Sequence, residues 1–584
     1  MKQQLGRRIA HLLAAEGVEY MFSLPEVTFG VLHDELDKLG IPLIAARHEA
    51  AAAHMAEAHT LVTGKIGVTG GSVGPGVLNL YPVVAHSWVE NLPVLYLGSE
   101  RTLIGRSSPR HSQFQYAPNA EVLKPITKWS TVLEDGRMVD DIFKEAFRHM
   151  TSGTPGPVYI GLPFDMLLEE HDYQDMPSPA SYRTLSNLSS ADATAVEAAA
   201  KMLAEADNPI VIAGQGVKLS QSRDVLEQLI QKLGCPVIQT FGGRGILSDK
   251  HPNLFDFAAG PGLEVTRKAD VILAVGTSIG ERIFFGGHPY FNGQSCGQEY
   301  FGGSDQKWIH MDRDPMAIGR NRPVDLGLVG DMAATLPRLI EQLGDYTPPN
   351  ERAAQLNKLR QARSEYYDDL YSVVRDCDTV HPGQMILEVQ KSLPDDVMMI
   401  KDGGAISIWQ MNFLQHEISE FLSGGKMGQL GTGVPFANAA ALTALKRNQR
   451  VCLMTGDGAF GFYAMEIETA VRLNLPILVV VGYDQGWSLE VPYYEYVVGR
   501  TFAVDHSPTR LDELARSLGA HGELCQSTEE IGPAIERSLA SGKPAVVQVA
   551  INRRINAFEM PNDHIWTAWH ADKEIYTNDT TENS

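Results

Sequence analysis

The sequence predicts an α/β protein built from three consecutive doubly wound parallel-sheet domains. Three observations lead there. Short apolar, β-rich runs alternate with stretches of helical period along the chain. At 584 residues the chain is too long for one hydrophobic core, and roughly three or four domains fit its length. Two polar breaks also divide it into pieces of similar size.

The runs read as buried strands cover residues 93–98 (PVLYLG), 157–163, 209–214, 270–276, 451–456, 476–482 and 545–551. Helices are expected at Asp192–Ala206 and Ser222–Leu233, where apolar residues recur with helical spacing. The opening segment, MKQQLGRRIAHLLAAEGVEY, reads as an amphipathic helix because charges interrupt its apolar run. The first break, 168–192, is polar and holds Pro177, Pro179 and five serines between Ser178 and Ser190. The second runs from Asp345 through Pro348-Pro349 and a charged helix to His381-Pro382. Domains are therefore expected at 1–175, 190–345 and 375–555. The tail 556–584 carries Trp566, Trp569 and His570 and reads either as a frayed terminus or as a flap closing over a site.

Composition narrows the function. The chain is 44% apolar and 21% charged, ordinary for a globular protein, and 49 basic against 71 acidic residues give a net charge of −22. Such a surface repels phosphate backbones, which argues against a nucleic-acid partner. An anionic cofactor must then be held by local devices such as backbone N–H groups and metal ions. The five cysteines (Cys235, Cys296, Cys377, Cys452, Cys525) are scattered, without zinc or disulfide spacing, and read as small buried apolar groups. No run of 18 or more apolar residues occurs, so a cytoplasmic protein without signal peptide or membrane span is expected.

The strongest local motif is Gly456-Asp457-Gly458, directly after VCLMT and before AFGFYAMEIETAVRL. It places an aspartate at a strand's carboxyl end, where open α/β sheets bind ligands. Its glycines let backbone approach a diphosphate, and Asp457 offers oxygen to a hard cation. Alone, the motif reads as a tight turn. Twenty-seven residues past Asp457, one helix and one strand later, comes Tyr483-Asp484-Gln485-Gly486. That spacing returns Asp484 to the same sheet edge on a neighbouring strand. The two carboxylates can share one Mg²⁺, with the Gly486 carbonyl as a third oxygen.

Here the chain resembles the thiamine-diphosphate (ThDP) enzymes of the acetolactate synthase-like group, in which Gly-Asp-Gly and a later Asn-Asn anchor Mg²⁺ and the diphosphate. Asp457 matches the family aspartate, Asp484 stands where the second Asn ligand would be, and Tyr483 replaces the first. The resemblance implies that Gly456, Asp457, Gly458, Ala459, Asp484, Gly486 and Trp487 border the cofactor. It also implies a pyrimidine-binding first domain, a middle dinucleotide-type domain and a diphosphate-binding third domain.

Residues 41–79 resemble the family's first domain over their whole length, with Glu49 in Arg47-His48-Glu49-Ala50 as the catalytic glutamate. A carboxyl in an apolar pocket can donate a hydrogen bond to the cofactor's pyrimidine nitrogen, and burial that raises its pKa suits that role. Read without the family, Glu49 is a charge at a helix N-terminus. Gly74-Pro75-Gly76 and Asn79 match a turn that opens a helix near the cofactor. Gln115, followed by Lys124–Lys128, matches the glutamine facing thiazolium and substrate. In residues 424–435, Leu430 falls where the family wedges a bulky apolar residue between the cofactor's two rings, and the Gly428 carbonyl would accept from the aminopyrimidine. Core packing is the plain alternative for Leu430.

The middle domain shows Gly214-Gln215-Gly216 after a strand without the full dinucleotide fingerprint, and in relatives this domain binds FAD, ADP or nothing. Arg313, Arg320 and Arg322 could meet phosphates or simply sit at the surface. Residues 456–477 most resemble the 2-hydroxyacyl-CoA lyase, oxalyl-CoA decarboxylase and benzaldehyde lyase branches. The loop Leu24–Thr28 lacks the histidines of a benzaldehyde lyase. Gly486–Glu490 resembles the 2-oxo-acid decarboxylases, with Trp487 and Leu489 as apolar walls and Glu490 as a proton donor or a solvated helix charge.

The resemblance thus implies a ThDP- and Mg²⁺-dependent lyase or carboligase that acts beside a carbonyl. A 2-oxo acid donor with acetolactate-type ligation comes first. A 2-hydroxyacyl-CoA lyase, a simple decarboxylase and an FAD-containing pyruvate oxidase type are the alternatives. The substrate would be a small carbonyl compound, and the assembly a homodimer or homotetramer in which one subunit's first domain faces another's third.

Overall fold

The computed structural model describes residues 2–107, 110, 112–184, 189–288, 298–303, 305–374 and 380–555. Cys296, Cys377 and the tail 556–584, with its expected flap, lie outside them. The strands in chain order are β1 (Lys2–Gln4), β2 (Met21–Ser23), β3 (Leu43–Ala45), β4 (Gly67–Gly71), β5 (Val94–Glu100), β6 (Trp129–Val132), β7 (Val158–Pro163) and β8 (Glu170–Asp172). They continue with β9 (Pro209–Ala213), β10 (Val237–Gln239), β11 (Leu254–Phe255), β12 (Val271–Val275), β13 (Lys307–Asp312) and β14 (Leu326–Val329). The last are β15 (Val397–Lys401), β16 (Ile418–Ser423), β17 (Val451–Gly456), β18 (Ile477–Tyr483), β19 (His521–Cys525) and β20 (Ala545–Ala550).

Three six-stranded parallel sheets result, each with helices on both faces: β3-β2-β4-β5-β7-β6, β11-β10-β9-β12-β13-β14 and β16-β15-β17-β18-β20-β19. The first and third share one winding, while the second has the 3-2-1-4-5-6 order of dinucleotide-type sheets. In both shared windings the chain reverses direction between two adjacent strands, β2/β4 and β15/β17. The carboxyl ends at those places are the crevices where such sheets take ligands.

Each expected strand run becomes a strand within two residues of its expected limits, because both faces are apolar. In the middle sheet the alternation is visible residue by residue. Val211, Ala213, Leu273 and Val275 enter the core on one face, and Ile210, Ile212, Ile272 and Ala274 the core on the other. The opening segment forms the expected helix over Leu5–Ala15, but Lys2–Gln4 ahead of it pairs antiparallel with Glu170–Asp172. A stretch expected as part of a polar break thus contributes a strand.

The chain divides into two compact units, one comprising residues 1–188 with 424–447 and the other 189–423 with 448–584. Within the first, the helix Gly433–Arg447 packs on the helix Glu49–Thr63. Both are alanine-rich, and small side chains let the two backbones approach closely. Within the second, the charged helix Asn350–Ser372 buries Leu356 and Leu359 against the middle-sheet core. Among the described residues Cys235, Cys452 and Cys525 are free and buried, and no helix is long and apolar enough to cross a membrane.

Candidate active site

In the first unit Glu49 is the first residue of the helix Glu49–Thr63, whose cap is His48: its Nδ1 accepts from the Ala50 N–H at 3.1 Å. Glu49 is half-buried. Asn79 Nδ2 donates to Glu49 Oε2 at 3.0 Å. The other oxygen faces Gly76, where a Cβ would come 3.1 Å from Oε1 and 2.4 Å from Ser72 Oγ. Asn79 ends the short helix Pro75–Leu78 that follows β4 at the sheet's reversal point. Thus the 41–49 and 74–79 segments, separate in sequence, meet through one hydrogen bond.

Gly74 has φ +71°, and a Cβ there would lie 2.8 Å from the Gln115 carbonyl oxygen. Only glycine fits this position without displacing its neighbour. Gln115 is exposed and itself holds φ +55°, a sparsely populated conformation of the kind stored at functional sites. The segment carrying Gly428 and Leu430 belongs to this same unit. Gly428 is exposed with φ +63°, and Leu430 is half-buried rather than a core residue.

The second unit holds the acidic pair. Asp457 follows β17 and opens the helix Asp457–Phe462; Asp484 follows the adjacent parallel strand β18. Two short helices, Asp457–Phe462 and Glu466–Arg472, stand where the spacing predicts one, and with β18 they return both carboxylates to one sheet edge. Asp457 Oδ1 accepts from the Gly458 N–H at 2.8 Å, while its Oδ2 is buried without a hydrogen-bond partner. Asp484 accepts from the Ser488 hydroxyl, and its Oδ1 is likewise buried and unpartnered. Burial, and then the charge of Asp484, push the Asp457 carboxyl up to about 6; burial raises Asp484 as well. Two mutually repelling carboxylates with unsatisfied buried oxygens form a donor set that a hard cation would complete. The residues present fit a Mg²⁺.

Backbone close to backbone surrounds this pair. Gly403, at φ +96° after β15, would place a Cβ 3.0 Å from Gly456 N and 3.7 Å from Ala459. A Cβ on Gly458 would strike the Trp487 ring at 2.6 Å, and one on Gly486 the Val504 carbonyl at 2.1 Å. Gly486 is buried in a bridge with Asp505, which fixes the turn after Asp484. Leu489 lies against Gly404 and packs onto the domain core, whereas Glu490 is exposed at the first position of the helix Glu490–Val498. An open cavity of about 630 Å³ borders Asp484, lined by Trp409, Leu489 and Arg553 among others.

Sequence reasoning missed His506. Its Nδ1 lies 3.8 Å from Asp457 Oδ2, and its ring meets Trp487 edge-on with centroids 5.1 Å apart. Nothing in the spacing announces it, because it arrives on an irregular segment tied down through its N–H to the Gln485 carbonyl at 2.7 Å. In the middle domain the Gly214-Gln215-Gly216 pair serves loop packing: Gly216 N–H donates to the Gly276 carbonyl at 2.9 Å. Arg322 lies over the Trp308 ring at 4.0 Å and donates to the Gly286 carbonyl.

Comparison with known proteins agrees with this layout. Residues 3–121 match the N-terminal TPP binding domain of thiamine pyrophosphate enzymes, 196–339 their central domain and 402–549 their C-terminal TPP binding domain. A probable acetolactate synthase of Mycobacterium bovis is 29% identical over 547 residues, covering 93% of this chain and 95% of that protein. The acetolactate synthase of Bacillus subtilis is 27% identical over 563 residues, 94% of each chain. A 2-hydroxyacyl-CoA lyase 1 of Mus musculus is 28% identical over 573 residues, 93% of each. With all three domain types present in order, the chain belongs to the thiamine pyrophosphate (thiamine diphosphate) enzymes, in the acetolactate synthase-like group.

Proposed function

We propose that this enzyme is a ThDP- and Mg²⁺-dependent carboligase that decarboxylates a 2-oxo acid and joins the remaining fragment to a second carbonyl compound. The observation that carries the reading is the pair of buried, unpartnered carboxylate oxygens of Asp457 and Asp484 on adjacent strands. ThDP, when bound, supplies an acidic ring carbon that adds to a carbonyl and then holds the electrons left by bond cleavage. Asp457, Asp484 and the Gly486 carbonyl would hold the metal, and Gly456, Gly458, Ala459 and Trp487 would border the diphosphate. Glu49 would hold and share a proton at the pyrimidine, with the Gly428 carbonyl accepting from its amino group, Leu430 against the rings, and Gly74 and Asn79 shaping the turn beside them. Asn79 fixes Glu49 Oε2, which leaves Oε1 for that proton. Gln115 and Glu490 would meet the substrate.

The division at 1–175, 190–345 and 375–555 and a homodimeric or homotetrameric, cytoplasmic enzyme belong to the same proposal. The middle sheet's strand order supports a nucleotide there, FAD or ADP, and the colour and nucleotide content of purified protein test it. The similarity to a 2-hydroxyacyl-CoA lyase supports a second reading, cleavage of a 2-hydroxyacyl-CoA. Mass spectrometry decides between them. Holoenzyme given pyruvate, alone and with an aldehyde, should release CO₂ and form a ligated hydroxy-carbonyl product. An aldehyde released only from a 2-hydroxyacyl-CoA would select the second reading, and no product from either would overturn both.

A further inference from the structure

We propose that His86 and Glu90 are positioning residues: a cation and an anion one helical turn apart that grip the Gly424–Gly428 turn and so set where Gly428 and Leu430 stand. The inference rests on the ThDP reading of those two residues and adds the part that holds them.

The helix Tyr81–Glu90 turns both side chains inward. His86 is fully buried and Glu90 is 3% exposed. His86 Nδ1 lies 2.9 Å from Glu57 Oε1 and its Nε2 lies 3.1 Å from the Gly424 carbonyl oxygen. An ionised carboxylate and a carbonyl only accept, so both ring nitrogens must donate, and the imidazole must carry its second proton. Glu57 is built to remain ionised: it also accepts from Ser87 Oγ at 2.7 Å and from His54 Nδ1 at 2.8 Å. Burial alone would discharge His86, but the charge and hydrogen bond of Glu57, the charge of Glu90 and the Gly424 carbonyl together outweigh it and lift the imidazole to about 9.

Glu90 holds the other side of the turn. Its Oε1 accepts from the backbone N–H of Lys426 at 2.5 Å and of Met427 at 3.2 Å. Directly ahead of them Gly425 has φ +56°, and a Cβ there would fall 2.2 Å from the Glu90 carboxyl carbon. Only glycine permits that approach. A positive group on the turn's carbonyl and a negative group on its amides are the complementary pattern for pinning an otherwise exposed loop, and charge-assisted hydrogen bonds of this kind are the stronger class. Removing Glu90 takes the acceptor from the Lys426 and Met427 N–H groups, and removing His86 takes the donor from the Gly424 carbonyl.

The test compares wild type, Glu90→Ala and Glu90→Gln, each first titrated with ThDP and Mg²⁺ by calorimetry and then followed by NMR for exchange of the cofactor's ring-carbon proton. Amide exchange over residues 424–430 reads the turn directly. We expect Glu90→Ala to loosen that peptide and slow proton exchange on the order of 10- to 100-fold, with diphosphate affinity within about threefold of wild type. Glu90→Gln, which keeps an acceptor oxygen, should recover part of the rate. Equal exchange rates and equal amide protection in Glu90→Ala would overturn the inference, and Glu90→Gln serves in the same way should the alanine variant not fold. Stoichiometric transition metal in the purified protein, lost with His86→Gln, would also overturn it, because His54, Glu57 and His86 lie close enough to hold an ion instead. Wild type that neither binds ThDP nor exchanges the proton would refute the cofactor reading itself, a different outcome.

Discussion

Asn79 donates a hydrogen bond to Glu49 across thirty residues of sequence, and this contact fixes one oxygen of the carboxyl proposed to share a proton with the cofactor. If the bond orients the carboxyl, Asn79→Ala should slow ring-carbon proton exchange about tenfold while leaving ThDP affinity nearly unchanged. Parallel losses of affinity and exchange would instead make Asn79 a binding residue.

The acidic pair makes a second prediction. Asp457→Ala should weaken metal-dependent ThDP binding by more than about 100-fold, since a metal ligand is lost outright. Asp484→Asn keeps an oxygen ligand and removes a charge, so cofactor binding should persist with lower metal affinity. Calorimetry at fixed Mg²⁺ measures both; normal affinity in Asp457→Ala would remove the metal assignment.

Metal-free protein should respond to acid in an unusual direction. Asp457 is raised from its ordinary value near 3.8 to about 6, so between those pH values the folded state binds more protons than the unfolded one. Its contribution then falls as pH rises from about 4 through 6. Thermal melts of metal-free protein should show that loss, and Asp457→Asn should reduce it to the part that Asp484, also raised by burial, contributes. Saturating Mg²⁺ and ThDP should also flatten it, because ionisation is then compensated.

A second titration lies on the alkaline side. With His86 lifted from 6.5 to about 9, the stability it confers is complete below pH 6.5 and is lost as pH rises through 9. His86→Gln should be less stable at neutral pH and lose this alkaline dependence, as melts between pH 6 and 10 would record.

Much of the fold was legible because its strands are buried on both faces and read as continuous apolar runs, as in Pro209–Ala213 and Ile477–Tyr483. The short strands Met21–Ser23, Leu43–Ala45 and Leu254–Phe255 carry too few residues to show a period, and only their neighbours in the sheet define them. The Asp457–Asp484 pairing was legible for a similar reason, since a helical crossover followed by one parallel strand returns a chain to the same edge, whether the crossover is one helix or the two short ones found here. The association of 424–447 with the N-terminal residues, the grip of His86 and Glu90 on that segment, and the approach of His506 to Asp457 were not. Each joins residues far apart in sequence, through packed helix faces or through single side chains that meet irregular backbone, and no local pattern records such contacts.

Proton exchange at the ring carbon of bound ThDP, followed by NMR in wild type and in Glu49→Gln, tests the central claim most directly. Glu49→Gln should bind ThDP and Mg²⁺ with near-normal affinity yet exchange that proton on the order of 10²-fold or more slowly, as removal of an acid–base group requires. Exchange at the wild-type rate in the variant would contradict the role given to Glu49.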